Sequence, residues 1–121
     1  MKTILVVENS LAVQMFLREM LESKGYRTLG ATTCKKACEI LTSSSRVNLV
    51  VSDYDLTDCQ GIEILREVRA NPRAKKMPVI FLMEEITPEM ADAGKLLGST
   101  ALIKKPYQPE RLFSEIERMC Q

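Results

Sequence analysis

The chain has 121 residues, 45% of them hydrophobic, and seventeen lysines and arginines against sixteen aspartates and glutamates leave a formal charge of +1. That length suits one domain spanning residues 1–121, and the composition suits a packed core rather than disorder. Near-neutrality gives no basic footprint for nucleic acid or an anionic membrane, and the lack of any histidine excludes serine–histidine and cysteine–histidine nucleophilic catalysis.

Short apolar runs alternate with helical patterns. Thr3 to Val7 is a continuous β-branched and leucine run, the signature of a strand covered on both faces. From about Ser10 to Lys24, Val13, Leu17, Met20 and Leu21 share one helical face, and Gly25 is a natural stop. Arg27 to Thr32 is a weaker strand whose Gly30 suits a sheet edge. Thr33 is placed to cap a helix carrying Ala37, Ile40 and Leu41, which ends in Ser43-Ser44-Ser45.

Val47 to Ser52 is the third strand, ending at Asp53. Ile62, Leu65 and Val68 form the next helical stripe, closed by Asn71-Pro72. Pro78 introduces a strong strand over Val79 to Met83. Thr87-Pro88-Glu89 is a helix start with a capping hydroxyl, a first-turn proline and an acid at the positive end of the dipole, and Gly98 is its stop. Thr100 to Lys104 is a fifth strand. Pro109 opens a last helix with Leu112, Phe113, Ile116 and Met119 facing inward.

Five strands alternating with five helices predict an α/β fold with a parallel sheet covered on both faces. Such sheets take ligands outside the carboxyl ends of their strands, at the topological switch point. Asp53 sits at that edge, with Glu8 after the first strand and Lys105 after the last. Two acids and a lysine at three strand ends make a site for a metal ion and a phosphoryl group.

No stretch reaches the length of a membrane span, and Met1-Lys2 runs straight into a strand without a signal-peptide pattern, so a cytoplasmic, membrane-free protein is expected. Cys34, Cys38, Cys59 and Cys120 lack metal-ligand or framework spacing and read as free thiols. Cys59 lies near the site, but no resolving cysteine is evident for it. The basic cluster Arg73, Lys75 and Lys76 reads as a solvated loop.

The segments Ile4-Leu5-Val6-Val7-Glu8-Asn9, Ser52-Asp53-Tyr54-Asp55-Leu56, Gly61, Met77-Pro78-Val79-Ile80 and Lys105-Pro106, in that order, resemble the receiver domain of bacterial two-component response regulators, including the single-domain chemotaxis type. The resemblance covers essentially the whole chain. It implies a flavodoxin-like doubly wound sheet of strand order 2-1-3-4-5. It also implies phosphoryl transfer from a sensor histidine kinase or phosphotransfer protein to Asp53, with Lys105 pairing a phosphoryl oxygen. Mg2+ would be held by Glu8, Asn9, Asp53 and the backbone carbonyl of Asp55. Lys105-Pro106 would be a cis peptide. The implied output or homodimer surface is the face built from the fourth helix, fifth strand and fifth helix, and the chain is a phosphoacceptor rather than an enzyme in its own right.

Three positions depart from the family pattern. Asn9 replaces the acid that usually contacts the metal, which implies weaker Mg2+ binding. Met83 replaces the hydroxyl residue that answers the phosphoryl group, and a thioether donates no hydrogen bond. Leu102 replaces the aromatic or histidine of the switch. Asp55 and Glu85 occupy positions that tune hydrolysis, either by orienting a water or by repelling phosphate. The competing readings are a degenerate pseudo-receiver that binds a partner without phosphorylation, and a flavin- or nucleotide-dependent enzyme on the same fold. The second of these needs a glycine-rich loop after the first strand, where the chain has Glu8-Asn9-Ser10-Leu11-Ala12-Val13. An end at Gln121, just after the last helix, fits a stand-alone regulator or a domain of a longer protein.

Overall fold

A computed structural model describes residues 2–43, 45–98 and 100–120. Strands β1 (Thr3–Val7), β2 (Arg27–Ala31), β3 (Leu49–Asp53), β4 (Val79–Met83) and β5 (Thr100–Lys104) alternate with helices α1 (Leu11–Glu22), α2 (Cys34–Thr42), α3 (Gly61–Ala70), α4 (Pro88–Leu97) and α5 (Pro109–Met119). The strands form one parallel sheet in the order β2-β1-β3-β4-β5, as the flavodoxin-like expectation requires.

Side-chain alternation splits the strands between two core layers. Ile4, Val6, Leu49, Val51, Ile80, Leu82 and Ile103 pack with Leu17 and Leu21 of α1 and Leu112 and Ile116 of α5. Leu5, Val7, Val50, Val79, Phe81 and Met83 pack with Ala37 of α2 and Ile64, Leu65 and Val68 of α3. β1, β3 and β4 are thus sandwiched, which is why they are unbroken apolar runs. Phe113 and Met119 are partly buried against the first layer.

The helix starts follow local chemistry. The hydroxyls of Ser10, Thr33 and Thr87 accept from the amides of Val13, Lys36 and Met90, relieving the unpaired donors of the first turn. Gly25 and Gly98 adopt φ of 93° and 69°, conformations that penalise a Cβ, so both serve as the expected stops. The C-terminal end of α4 is also held from α3. Arg69 donates from Nε to Leu97 O (2.6 Å), from Nη2 to Gly98 O (2.6 Å) and from Nη1 to Met77 O (2.7 Å).

Two expectations need correction here. Val13 is 46% exposed and Gln14 takes its place on the buried side of α1, because that side runs through Gln14, Leu17 and Leu21 at helical spacing and leaves Val13 on the flank. The third strand begins at Leu49 and includes Asp53, since its pairing with β1 starts at Ile4 opposite Leu49 and its pairing with β4 runs on to Asp53 opposite Leu82. Ser44 of the serine run and the terminal Gln121 lie outside the described residues.

Candidate functional site

Asp53 is the last residue of β3 and pairs in register with Leu82. The Tyr54 amide continues the ladder to Leu82 O at 3.0 Å, and the buried Ser52 hydroxyl donates to the Asp53 carbonyl at 2.8 Å. The backbone beneath the carboxylate is therefore fixed, while its side chain keeps 15% of its surface open. Lys105 follows β5, anchored by its amide to Met83 O at 2.8 Å, and the Lys105-Pro106 bond is cis as expected. Its ammonium meets Asp53 Oδ1 at 3.1 Å, so strand ends 52 residues apart in sequence meet in one ion pair.

Glu8 follows β1 and is 8% exposed. Its Oε1 accepts from the Ser10 amide at 3.2 Å. Burial pushes its carboxyl above the ordinary glutamate range, and the negative charge of Asp53 beside it adds to the rise. The Ser10 amide and Lys105 act the other way. Two facing carboxylates and a single ammonium leave an excess negative charge in a half-closed pocket, a donor set that suits a small divalent cation.

Asn9 is engaged elsewhere. Its Nδ2 donates to Thr32 O (2.7 Å) and Thr57 Oγ1 (3.2 Å), and its Oδ1 accepts from the Thr57 amide (2.8 Å). It bridges the loops after β2 and β3. Asp55 is exposed and faces Gln60 in an isolated antiparallel bridge. The flanking residues make that bridge's bonds, Leu56 amide to Cys59 O (3.1 Å) and Gly61 amide to Tyr54 O (2.7 Å), which leaves the Asp55 carbonyl out of the bridge. Glu85 is exposed beyond β4. Met83 is 1% exposed within the core layer shared with Phe81 and Val7, and Leu102 packs half-buried against that layer.

The free-thiol expectation fails for two of the four cysteines. Cys34 and Cys59 form a disulfide, with Cα atoms 6.0 Å apart, while Cys38 and Cys120 remain free. The 2-1-3 strand order is the physical reason: it places the loops after β2 and β3 on either side of the loop after β1, so residues 25 apart in sequence meet. That order supplies the resolving cysteine which spacing alone did not show. Three further residues went unnoticed in the sequence. Thr57 partners Asn9. Asp58 accepts from the amides of Cys34 (2.8 Å) and Lys35 (3.0 Å), and those bonds hold its carboxyl below the usual aspartate range. Tyr107 lies close enough to Glu8 for that charge, after burial, to push its phenol up.

Comparisons with known proteins agree with this fold. A family model described as the response regulator receiver domain matches residues 4–117. A two-component response regulator of rice, ORR11 of Oryza sativa subsp. indica, is 28% identical over 116 residues, covering 93% of this chain and 79% of that protein. The chemotaxis protein CheY4 of Vibrio cholerae superposes with a TM-score of 0.90 at 27% identity, covering 98% of each chain. The non-phosphorylated HemR receiver domain of Leptospira biflexa gives a TM-score of 0.87 at 27% identity, covering all of this chain and 95% of that one. The similarity reaches plants and bacteria alike.

Proposed function

Because this chain belongs to the response regulator receiver domain family, we propose that it accepts a phosphoryl group on Asp53 from a phosphohistidine of a sensor histidine kinase or phosphotransfer protein, in the cytoplasm, and signals by protein contact. The observation that carries this reading is the Lys105–Asp53 pair at 3.1 Å beside the buried Glu8, at the switch point of the sheet.

A carboxylate oxygen of Asp53 attacks phosphorus in line, and the leaving imidazole departs on the far side. Lys105 moves its ammonium from Asp53 Oδ1 onto a phosphoryl oxygen and offsets the developing charge as a point cation. Glu8, the second oxygen of Asp53 and the carbonyl of Asp55 would hold Mg2+, which supplies further charge neutralisation for the transferring group. With the oxygen of Asn9 already accepting from Thr57, only one carboxylate besides Asp53 serves that ion, and weak Mg2+ affinity follows. Asp55 and Glu85, both exposed, are assigned in this reading to tuning the lifetime of the phosphoaspartate.

Incubation with Mg2+ and acetyl phosphate, followed by intact-mass measurement, should add one phosphoryl group to wild type and none to Asp53→Asn. An unmodified wild type, with phosphohistidine donors failing as well, rejects this reading. A second reading, a pseudo-receiver that docks its partner without phosphorylation, draws on Met83 and Leu102. Both are packed against the core, where neither offers the phosphoryl group a hydrogen bond. A partner bound equally by wild type and Asp53→Asn would favour it. The surface of α4, β5 and α5 is the output face in either case, and the surface on which a homodimer would form.

A further inference from the structure

The segment that follows Asp53 is tied to its neighbours by three kinds of bond. Thr57 bonds Asn9 of the loop after β1, the Asp58 carboxylate takes two amides at the start of α2, and Cys59 is joined to Cys34. The first two ties are fixed by sequence, whereas the third depends on the redox state of its surroundings. We propose that Cys34–Cys59 is a reversible thiol–disulfide modification site whose state sets the order of residues 54–60 and thereby the affinity of the Asp53 pocket for a divalent cation. The inference rests on the reading of Asp53 as a phosphoacceptor held beside such a cation.

Three observations and one general rule for the proposed compartment carry it. Cys59 is only half-buried at the sheet edge while Cys34 is 8% exposed, so an external thiolate reaches the Cys59 sulfur and Cys34 is the shielded leaving group. The bond sits on the loop that carries the Asp55 carbonyl, between Asp53 and the start of α3, so its release acts directly on the pocket wall. Cys38, one helical turn beyond Cys34, is a free thiol whose acidity is weakened by burial and then by Glu67 and Asp58, so it competes poorly in exchange. Finally, disulfides of cytoplasmic proteins are mostly transient or sensing, which is the behaviour a half-open bond beside a ligand pocket allows.

The Glu63 carboxylate comes within 4.8 Å of both sulfurs, but three ligands are short of the four that zinc takes, and here the sulfurs are bonded to each other.

The exchange balances with a dithiol as reductant. Its thiolate attacks Cys59 Sγ, the S–S bond breaks, and Cys34 leaves as a thiolate that takes up a proton. The second thiol then displaces Cys59 from the mixed disulfide and becomes part of a cyclic disulfide. Two electrons and two protons pass to the protein. Oxidation is the reverse, with a small-molecule disulfide as the acceptor.

The test compares wild type held in oxidised glutathione, wild type reduced with dithiothreitol, and Cys59→Ser in both media. Oxidised wild type should yield a linked peptide pair containing Cys34 and Cys59. Amide exchange across 54–60 should rise about tenfold on reduction as the loop opens more often. Calorimetry should show Mg2+ binding weakened by about threefold, a loss of preorganisation rather than of ligands. Cys59→Ser should match the reduced protein and ignore the oxidant; if it does not fold, reduced wild type alkylated at its thiols replaces it. Absence of the linked pair under the oxidant, zinc held by the thiols there, or equal exchange and Mg2+ affinity in the two states overturns the proposal. Equal Mg2+ binding in both states would leave the phosphoacceptor reading standing, whereas no Mg2+ binding in either state would bring down both.

Discussion

Glu8 shows how a single residue couples pH to this pocket. Its folded pKa is raised by burial and by Asp53, so its favourable contribution to stability is complete below the ordinary glutamate range. That contribution is lost as pH rises through the raised folded value, and at neutral pH the ionised Glu8 costs stability. Glu8→Gln should therefore melt higher than wild type at neutral pH in the absence of Mg2+. The gap should close in acid, and the variant should lose the stabilisation that Mg2+ confers; thermal melts across pH, with and without the ion, check this. Mg2+ affinity in wild type should fall on acidification through the same raised value, because proton and ion compete for one carboxylate. Met83 belongs to a different class. Buried to 1% against Phe81 and Val7, it behaves as core, and Met83→Ala should cost about 2–5 kcal/mol in urea denaturation. Asp53, Glu8 and Lys105 were legible from sequence because strand-end position follows from hydrophobic pattern. The engagement of Asn9 was not, since Thr32 was read as the end of the second strand, which stops at Ala31, and Thr57 lies in a loop that carries no periodicity.

At the scale of elements, four of the five helices carry simple end signals: capping hydroxyls at Ser10, Thr33 and Thr87, prolines at Pro88 and Pro109, glycines at Gly25 and Gly98. Strand β3 drifted at its start, because Val47 extends the apolar pattern while the register with β1 begins only at Leu49, after Asn48 has bonded Thr3. Packing between elements was less visible. Arg69 of α3 carries no signal in the sequence pattern, yet it closes the end of α4 on the carbonyls of Leu97 and Gly98 while also reaching Met77. Arg69→Met keeps the aliphatic stem and removes those charged donors, and should cost about 2 kcal/mol. A shifted urea midpoint with an unchanged slope would identify the loss as one of stability and not of compactness.

For the molecule as a whole, the alternation of strands and helices was enough to predict a doubly wound parallel sheet, and the family resemblance supplied its order. The disulfide lay beyond that reading, because it depends on strand order in space and not on cysteine spacing in the chain. Bridging residues 25 apart, it restricts the unfolded chain, and its reduction should lower stability by about 3 kcal/mol. For a chain of this size that corresponds to roughly 10 °C in melting temperature, measurable by calorimetry with and without dithiothreitol. The Arg69 clamp carries a mechanical consequence of its own. With its last carbonyls held from α3, α4 behaves as a lever whose fulcrum lies at Gly98 and whose arm, ten residues long, measures about 15 Å. Any displacement that keeps those bonds is a tilt, and a tilt of about 10° carries the Thr87 end roughly 3 Å, given a helix rise of about 1.5 Å per residue. The greatest travel then falls at the end adjoining Glu85 and the site, and the least at Gly98.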